Sequence, residues 1–162
     1  MKAIVAVDKD WGIGKDGQLL FHIKEDMKFF KEMTIGKVVV MGRKTFESLP
    51  DKKPLKDRVN LVVTSAISVY TDNLVIGTLD EIMEKLNKYD TNDVFVIGGE
   101  SIYKQLIEFC NEVYITRVDY SYEADTFMPD LTEEGFIFEK IIDNGKTEDG
   151  KYWSIEKWVG CF

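Results

Sequence analysis

Val38-Val39-Val40-Met41-Gly42-Arg43-Lys44-Thr45 is an aliphatic run that stops on a glycine and passes at once into two cations and a hydroxyl. It reads as a buried strand turning into a helix. Val94-Phe95-Val96-Ile97 followed by Gly98-Gly99-Glu100-Ser101 repeats the pattern, and Leu61-Val62-Val63 ends on Thr64 and Ser65. Working outward, strand-like runs fall at residues 3–7, 37–41, 60–63, 74–76, 94–97 and 113–118, and helix-like segments at residues 23–33, 44–49, 79–88 and 101–109. Strands alternating with helices predict an α/β fold, a mostly parallel twisted sheet with helices on both faces. The last quarter differs. Residues 136–142 and 152–159 read as two long strands joined by a turn-rich stretch at 143–150, which predicts a C-terminal antiparallel hairpin. With no repeat, low-complexity tract or linker, a single domain over residues 1–162 is expected.

At 162 residues the chain is long enough to bury a sizeable core. Apolar residues make up 44%, yet no run approaches the ~20 residues that span a bilayer. The chain opens directly on strand-like Lys2-Ala3-Ile4-Val5-Ala6-Val7, so a soluble, cytoplasmic protein without a membrane partner is expected. Cys110 and Cys161 belong to no motif, and His22 is the sole histidine, so neither a disulfide framework nor a metal site is expected. A net charge of -8 argues against non-specific nucleic-acid binding but leaves room for a small anion in a local cationic pocket.

At about 100° per residue, Ile23, Met27, Phe29, Phe30 and Met33 share one helix face, with Lys24, Glu25, Lys28, Lys31 and Glu32 on the other. Asp26 projects into the apolar stripe. A carboxylate there is costly to ionise unless something hydrogen-bonds it, so its pKa should rise or a partner should be supplied. Such a group is a candidate functional acid or ligand anchor, although a carboxylate in a first helical turn also suits the helix dipole by itself.

Ligands of open α/β sheets bind beyond the carboxyl ends of the strands. The turns after Met41 and Ile97 offer helix starts that favour anions, Arg43 and Lys44 add charge, and Gly98-Gly99 lets a ligand approach the backbone. Each feature alone is also ordinary turn geometry. Together with Thr64 and Ser65 they suit a ligand with several phosphates, such as a dinucleotide carrying a further phosphate on its ribose. The stretch at 8–20, with Gly12, Gly14 and Gly17, reads as a mobile loop able to act as a lid.

The pieces Val5-Ala6-Val7, Gly12-Ile13-Gly14-Lys15, Glu25-Asp26-Met27-Lys28-Phe29-Phe30-Lys31, Met41 to Ser48, Arg58, Val96-Ile97-Gly98-Gly99, Tyr114-Ile115-Thr116 and Glu123-Ala124-Asp125-Thr126 run in order along the chain. In this order the chain resembles dihydrofolate reductase. The resemblance implies hydride transfer from C4 of NADPH to C6 of dihydrofolate with protonation at N5, giving tetrahydrofolate for one-carbon metabolism. It implies that Asp26 accepts hydrogen bonds from the pterin N3 and 2-amino groups, that Thr116 holds that carboxylate, and that the N5 proton comes through water. By the same resemblance Val5, Ala6, Phe30, Leu49 and Leu55 line the substrate pocket, and Arg58 clamps the glutamate α-carboxylate. Ala6, Ile13, Gly14 and Leu19 flank the nicotinamide. Gly42, Thr45, Ile97, Gly98, Gly99, Glu100, Ser101, Ile102 and Tyr103 follow the pyrophosphate, while Arg43, Lys44, Thr64 and Ser65 hold the adenosine end. A cis Gly98–Gly99 bond, an Asp125 contact to the backbone of residues 14–16, sensitivity to antifolate inhibitors and a monomer are implied as well.

The chain departs from the family pattern in one stretch: Leu20-Phe21 stands where Pro-Trp is common, and Lys24 where a second proline is frequent. Phe21 has no indole N–H to anchor a water near Asp26, which puts the proton path and the stiffness of the loop in question. Imidazoles titrate near neutrality, but His22 falls outside the ligand-touching positions and is read as a bystander. Two alternatives stay open: a pyrimidinone reductase of flavin biosynthesis, which would not need Asp26 with Thr116, and a non-catalytic nucleotide-binding module, which would bind the cofactor without consuming it.

Overall fold

The computed structural model describes residues 1–65 and 69–161; residues 66–68 and 162 lie outside the description. The strands are β1 (Lys2–Val7), β2 (Gly12–Lys15), β3 (Gln18–Leu19), β4 (Val38–Gly42), β5 (Val59–Val63), β6 (Val69–Tyr70), β7 (Leu74–Gly77), β8 (Val94–Gly98), β9 (Glu112–Val118), β10 (Thr126–Phe127), β11 (Phe136–Lys146) and β12 (Tyr152–Gly160). The α-helices are α1 (Lys24–Thr34), α2 (Arg43–Glu47), α3 (Leu79–Leu86) and α4 (Glu100–Leu106). Among the described residues, nine strands form the main sheet in the order β11-β12-β9-β1-β8-β4-β5-β7-β6. The run from β9 to β7 is parallel, and β12, β11 and β6 are antiparallel additions at the two edges.

The central strands read as continuous apolar runs because alternate side chains enter different cores. Ala3, Val5, Val7, Val38, Val40, Leu61, Val94, Val96, Val113 and Ile115 face one core, closed by Ile82 and Leu86 of α3 and by Ile102, Tyr103 and Leu106 of α4. Ile4, Val39, Met41, Val62, Phe95 and Tyr114 face the other, where Phe29, Phe30 and Met33 of α1 pack with Phe46 and Leu49. The two-sided sheet predicted from sequence is thus present, and so is the hairpin of β11 and β12.

Three features differ from expectation. Met27 is 62% exposed although it was assigned to the apolar stripe. Asp26, Phe30 and Met33 fall within about 60° of one another around the helix, and Met27 lies about 90° from the centre of that arc, well outside it. The stretch at 8–20 is not an open loop, because β2 and β3 pair with each other and β2 pairs with β10 in a second, three-stranded sheet. The hairpin also outruns its predicted turn, since Asp143, Asn144, Gly145 and Lys146 pair with Ile155, Ser154, Trp153 and Tyr152. Gly145 makes this possible: a Cβ there would stand 2.8 Å from the Trp153 ring.

Candidate active site

The chain leaves β1 at its carboxyl end, passes the small sheet and enters α1, which crosses the face of the sheet that carries Ile4 and Met41. Asp26 lies in the first turn of α1, and Ala6 and Thr116 are register partners on the adjacent strands β1 and β9. Thr116, 2% exposed, donates its hydroxyl to Asp26 Oδ1 at 2.5 Å. Burial pushes the Asp26 carboxyl above its ordinary value of 3.8, and the Thr116 hydrogen bond works against that rise by favouring the charged form. One carboxylate oxygen is therefore tied down in a partly buried setting, and the group can accept further hydrogen bonds from a flat heterocycle laid against it.

At the other end of α1 stands its last residue, Thr34. Thr34 accepts a hydrogen bond from Arg58 Nη1 at 3.0 Å, and Arg58 Nε donates to the Lys56 carbonyl at 3.0 Å, which fixes the guanidinium beside the far end of the helix. Burial lowers the Arg58 pKa and neighbouring Asp57 raises it, but a guanidinium stays charged in proteins. Eight residues separate Asp26 from Thr34, so carboxylate and guanidinium are spaced by about 12 Å of helix. Phe30, Leu49 and Leu55, all partly buried, pack on the same apolar cluster between them.

Across the sheet from β9, the carboxyl ends of β8, β4 and β5 adjoin: Met41 pairs with Gly98, and Gly42 with Val63. The Gly98–Gly99 bond is cis. A Cβ on Gly42 would stand 3.1 Å from Ile102 Cγ1, so this glycine lets α4 pack closely on the end of β4, while one on Gly99 would make only an ordinary 3.6 Å contact with Thr45 Oγ1. Arg43 and Lys44 are exposed there, Arg43 pairing with Glu47 at 3.7 Å, with half-buried Thr64 and exposed Ser65 beside them on the next strand end. Such an edge of glycine turns, hydroxyls and exposed cations suits a phosphate-bearing ligand.

The family model for dihydrofolate reductase matches residues 1–155. The chain belongs to the dihydrofolate reductase family. A dihydrofolate reductase of Bacillus subtilis is 33% identical over 150 residues, covering 92% of this chain and 87% of that protein. A bifunctional dihydrofolate reductase-thymidylate synthase of Glycine max is 40% identical over 146 residues, but these span 79% of this chain and only 28% of the soybean protein. A solved dihydrofolate reductase from Enterococcus faecalis, complexed with NADP(H) and RAB-propyl, superposes with a TM-score of 0.82 at 32% identity, covering 98% of this chain and 94% of that one. Family membership makes the chain an NADPH-dependent oxidoreductase and leaves the pyrimidinone reductase and the non-catalytic module without support.

Placed on the reductase fold, the residues named from sequence divide into groups. Asp26, Thr116, Ala6, Phe30, Leu49 and Leu55 come together around α1 and the sheet face beneath it, with Arg58 at the far end. Val5 does not join them by its side chain, which packs in the opposite core with Ala3 and Val7, so only its main chain can take part. This follows from strand alternation, since neighbouring residues of β1 face opposite ways. Ile102 and Tyr103 are likewise buried, and the Tyr103 hydroxyl donates to the Ile4 carbonyl at 2.8 Å, so these two shape the site from behind. Glu100 is committed elsewhere, with its carboxylate accepting the Phe127 N–H at 2.5 Å and thereby tying β10 to α4. The Ser101 hydroxyl accepts from Gln105 at 2.8 Å. Ile13 is half-buried and Gly14 buried in β2, Leu19 is 59% exposed on β3, and Ile97 is half-buried at the end of β8.

Asp8 is the residue that sequence reasoning missed. It is 1% exposed at the end of β1; its Oδ1 accepts the N–H groups of Asp10 at 2.9 Å and Gly12 at 2.8 Å, and its Oδ2 accepts that of Tyr122 at 2.9 Å. A carboxylate directly after a buried strand was the available signal. The Asp16 N–H donates to Asp125 Oδ2 at 3.0 Å, the contact the resemblance implied. His22 is exposed.

Proposed function

We propose that Asp26 and Thr116 form the catalytic centre for NADPH-dependent reduction of 7,8-dihydrofolate to tetrahydrofolate, within a single domain spanning residues 1–162. What carries this reading is the order of chemistry along α1: a carboxylate held by a hydroxyl, then apolar walls, then a fixed guanidinium about 12 Å on. Dihydrofolate has the complementary order, an amidine-like pterin edge, an aromatic ring and a carboxylate. Asp26 accepts hydrogen bonds from the pterin N3 and 2-amino groups, and its negative charge pushes electron density into the ring and makes N5 more basic. Since it grips the edge away from N5, the proton reaches N5 through water rather than from Asp26. Ala6, Phe30, Leu49 and Leu55 seat the rings and exclude solvent, and Arg58 takes the glutamate α-carboxylate as a bidentate pair.

The adjoining carboxyl ends of β4, β5 and β8, with Gly42, Gly98, Gly99 and Thr45 there, fit a dinucleotide, and the Enterococcus relative is complexed with NADP(H). NADPH supplies the hydride. Arg43, Lys44, Thr64 and Ser65 take its adenosine end and favour the phosphorylated cofactor, while Ile13, Gly14, Leu19, Ile97 and Gly98 border the rest, joined by Glu100 and Ser101 through their main chain because their side chains are engaged with Phe127 and Gln105. The protein works as a monomer in the cytoplasm, and diaminopteridine antifolates compete for the Asp26 end. The test is NADPH oxidation on addition of dihydrofolate, with and without such an antifolate. Dihydrofolate-dependent oxidation abolished by the inhibitor is expected, and cofactor binding without consumption would overturn the reading.

A further inference from the structure

Phe21 occupies a position where the family commonly has tryptophan, and a phenyl ring makes no hydrogen bond that could fix the end of the loop. The structure supplies another anchor. Phe21 packs on Tyr122 with ring centroids 5.9 Å apart and planes inclined by 34°. Tyr122 in turn meets the Tyr120 ring edge-on at 4.8 Å. The Lys151 ammonium lies 4.1 Å from the Tyr120 centroid and 5.0 Å from that of Tyr122, donates to the Tyr122 hydroxyl at 3.4 Å, and is itself held by Asp149 at 2.9 Å. Phe21 and Tyr122 together flank a buried cluster of Ile23, Val118, Trp153 and Ile155, directly before α1. The same Tyr122 gives its backbone N–H to Asp8 Oδ2 at 2.9 Å, and Asp8 Oδ1 holds Gly12.

We propose that Tyr122, clamped by Lys151, is a positioning residue that joins both ends of the loop at residues 8–21. Its main chain holds the start through Asp8, and its ring holds the end through Phe21. Between the two ends lie Ile13, Gly14 and Leu19, the residues that border the nicotinamide, and three residues after Phe21 the chain enters the turn that carries Asp26. Ring packing under a cation thus does the work of the missing indole hydrogen bond. The segment around Tyr122 touches the loop elsewhere too: the Tyr120 carbonyl accepts the Lys9 N–H, Ser121 donates to Asp10, Asp125 bonds Gly14 and Asp16, and β10 pairs with β2. Those contacts hold its start and middle and leave the exit at Phe21 to the clamp. The inference rests on the reductase reading only for what the loop covers.

The test uses Lys151→Met, a substitution at a half-buried residue just before β12, with Lys151→Arg as the conservative partner. Loss of one half-buried cation–π clamp is expected to raise the KM for NADPH about threefold, with a smaller change in kcat. The dissociation constant for dihydrofolate alone should stay at the parental value because Asp26 and Arg58 are untouched. Lys151→Arg should restore the parental KM. In a Tyr122→Leu background, Lys151→Met should add nothing to the KM or to loop exchange, since the ring through which Lys151 acts on Phe21 is gone. Amide hydrogen exchange of the ligand-free protein gives an activity-independent readout, with faster exchange over residues 9–21 expected in Lys151→Met. A lower melting temperature with unchanged KM and unchanged loop exchange would make Lys151 a stabilising residue only and overturn the proposal, as would additive effects in the Tyr122→Leu background. Faster loop exchange in a protein that never oxidises NADPH would leave the clamp standing and overturn the reductase reading instead.

Discussion

Asp26→Asn keeps the shape of the side chain and removes its charge, so it isolates what the carboxylate does. The amide oxygen can still accept the Thr116 hydroxyl that Asp26 Oδ1 accepts at 2.5 Å. Lost instead are two charge-assisted hydrogen bonds to the pterin edge, each contributing roughly 1.5–3 kcal/mol. Taking the lower figure for both gives about 3 kcal/mol, a little over two decades in kcat/KM. Steady-state oxidation of NADPH with saturating cofactor and varied dihydrofolate, followed by the loss of cofactor absorbance, measures it. The deficit should shrink on acidification, because more dihydrofolate then arrives already protonated at N5.

Thermal unfolding of the same variant reads the carboxylate from the other side. Burial raises the Asp26 pKa in the folded protein above the ordinary value of 3.8, with the Thr116 hydrogen bond partly offsetting it, so the native state binds this proton more readily than the unfolded chain. The stability linked to that proton is present below the unfolded value and lost as the pH rises through the folded one. Asn at this position escapes the loss. Asp26→Asn should therefore melt above the parent at neutral pH, and the gap should close towards acid. Near-parental turnover at neutral pH, or a melting gap that does not depend on pH, would refute the assignment.

Arg43→Ala should raise the KM for NADPH about tenfold and leave that for NADH nearly unchanged, since a charge-assisted contact to the extra phosphate disappears. Its exposed pairing with Glu47 at 3.7 Å contributes little to stability, so equal effects on the two cofactors would mean that Arg43 lies away from that phosphate. His22→Gln should leave the pH profile of kcat/KM in place; a displaced profile would make His22 a participant.

The parallel sheet was legible because both its faces are buried, which makes its strands uniformly apolar and easy to find. The carboxylate was legible for the opposite reason, as a charge at an apolar position. Elements built by pairing between distant residues were harder to see. Gly12-Ile13-Gly14-Lys15 has no strand chemistry of its own and becomes β2 by pairing with β3 nearby and with Thr126 and Phe127 more than a hundred residues on. Asp143-Asn144-Gly145 reads as a turn and becomes strand because the Trp153 ring needs the space beside a glycine. The side-chain direction of Val5 was carried over from resemblance where plain alternation along β1 would have turned it away from Ala6. Asp8 looked like the first residue of a loop, and its three backbone donors come from two segments brought together only in the fold.

The irregular pairing of β11 also bears on solubility. Ile137, Phe138, Ile141 and Ile142 are 41–55% exposed along the outermost strand of the sheet, a composition that invites association with other chains. Register shifts between Phe138 and Lys140 and between Ile141 and Asp143 break that border into short lengths. An incoming peptide backbone meets a kink every few residues and cannot zip along it, so the greasy margin stays tolerable at the concentrations an enzyme must reach.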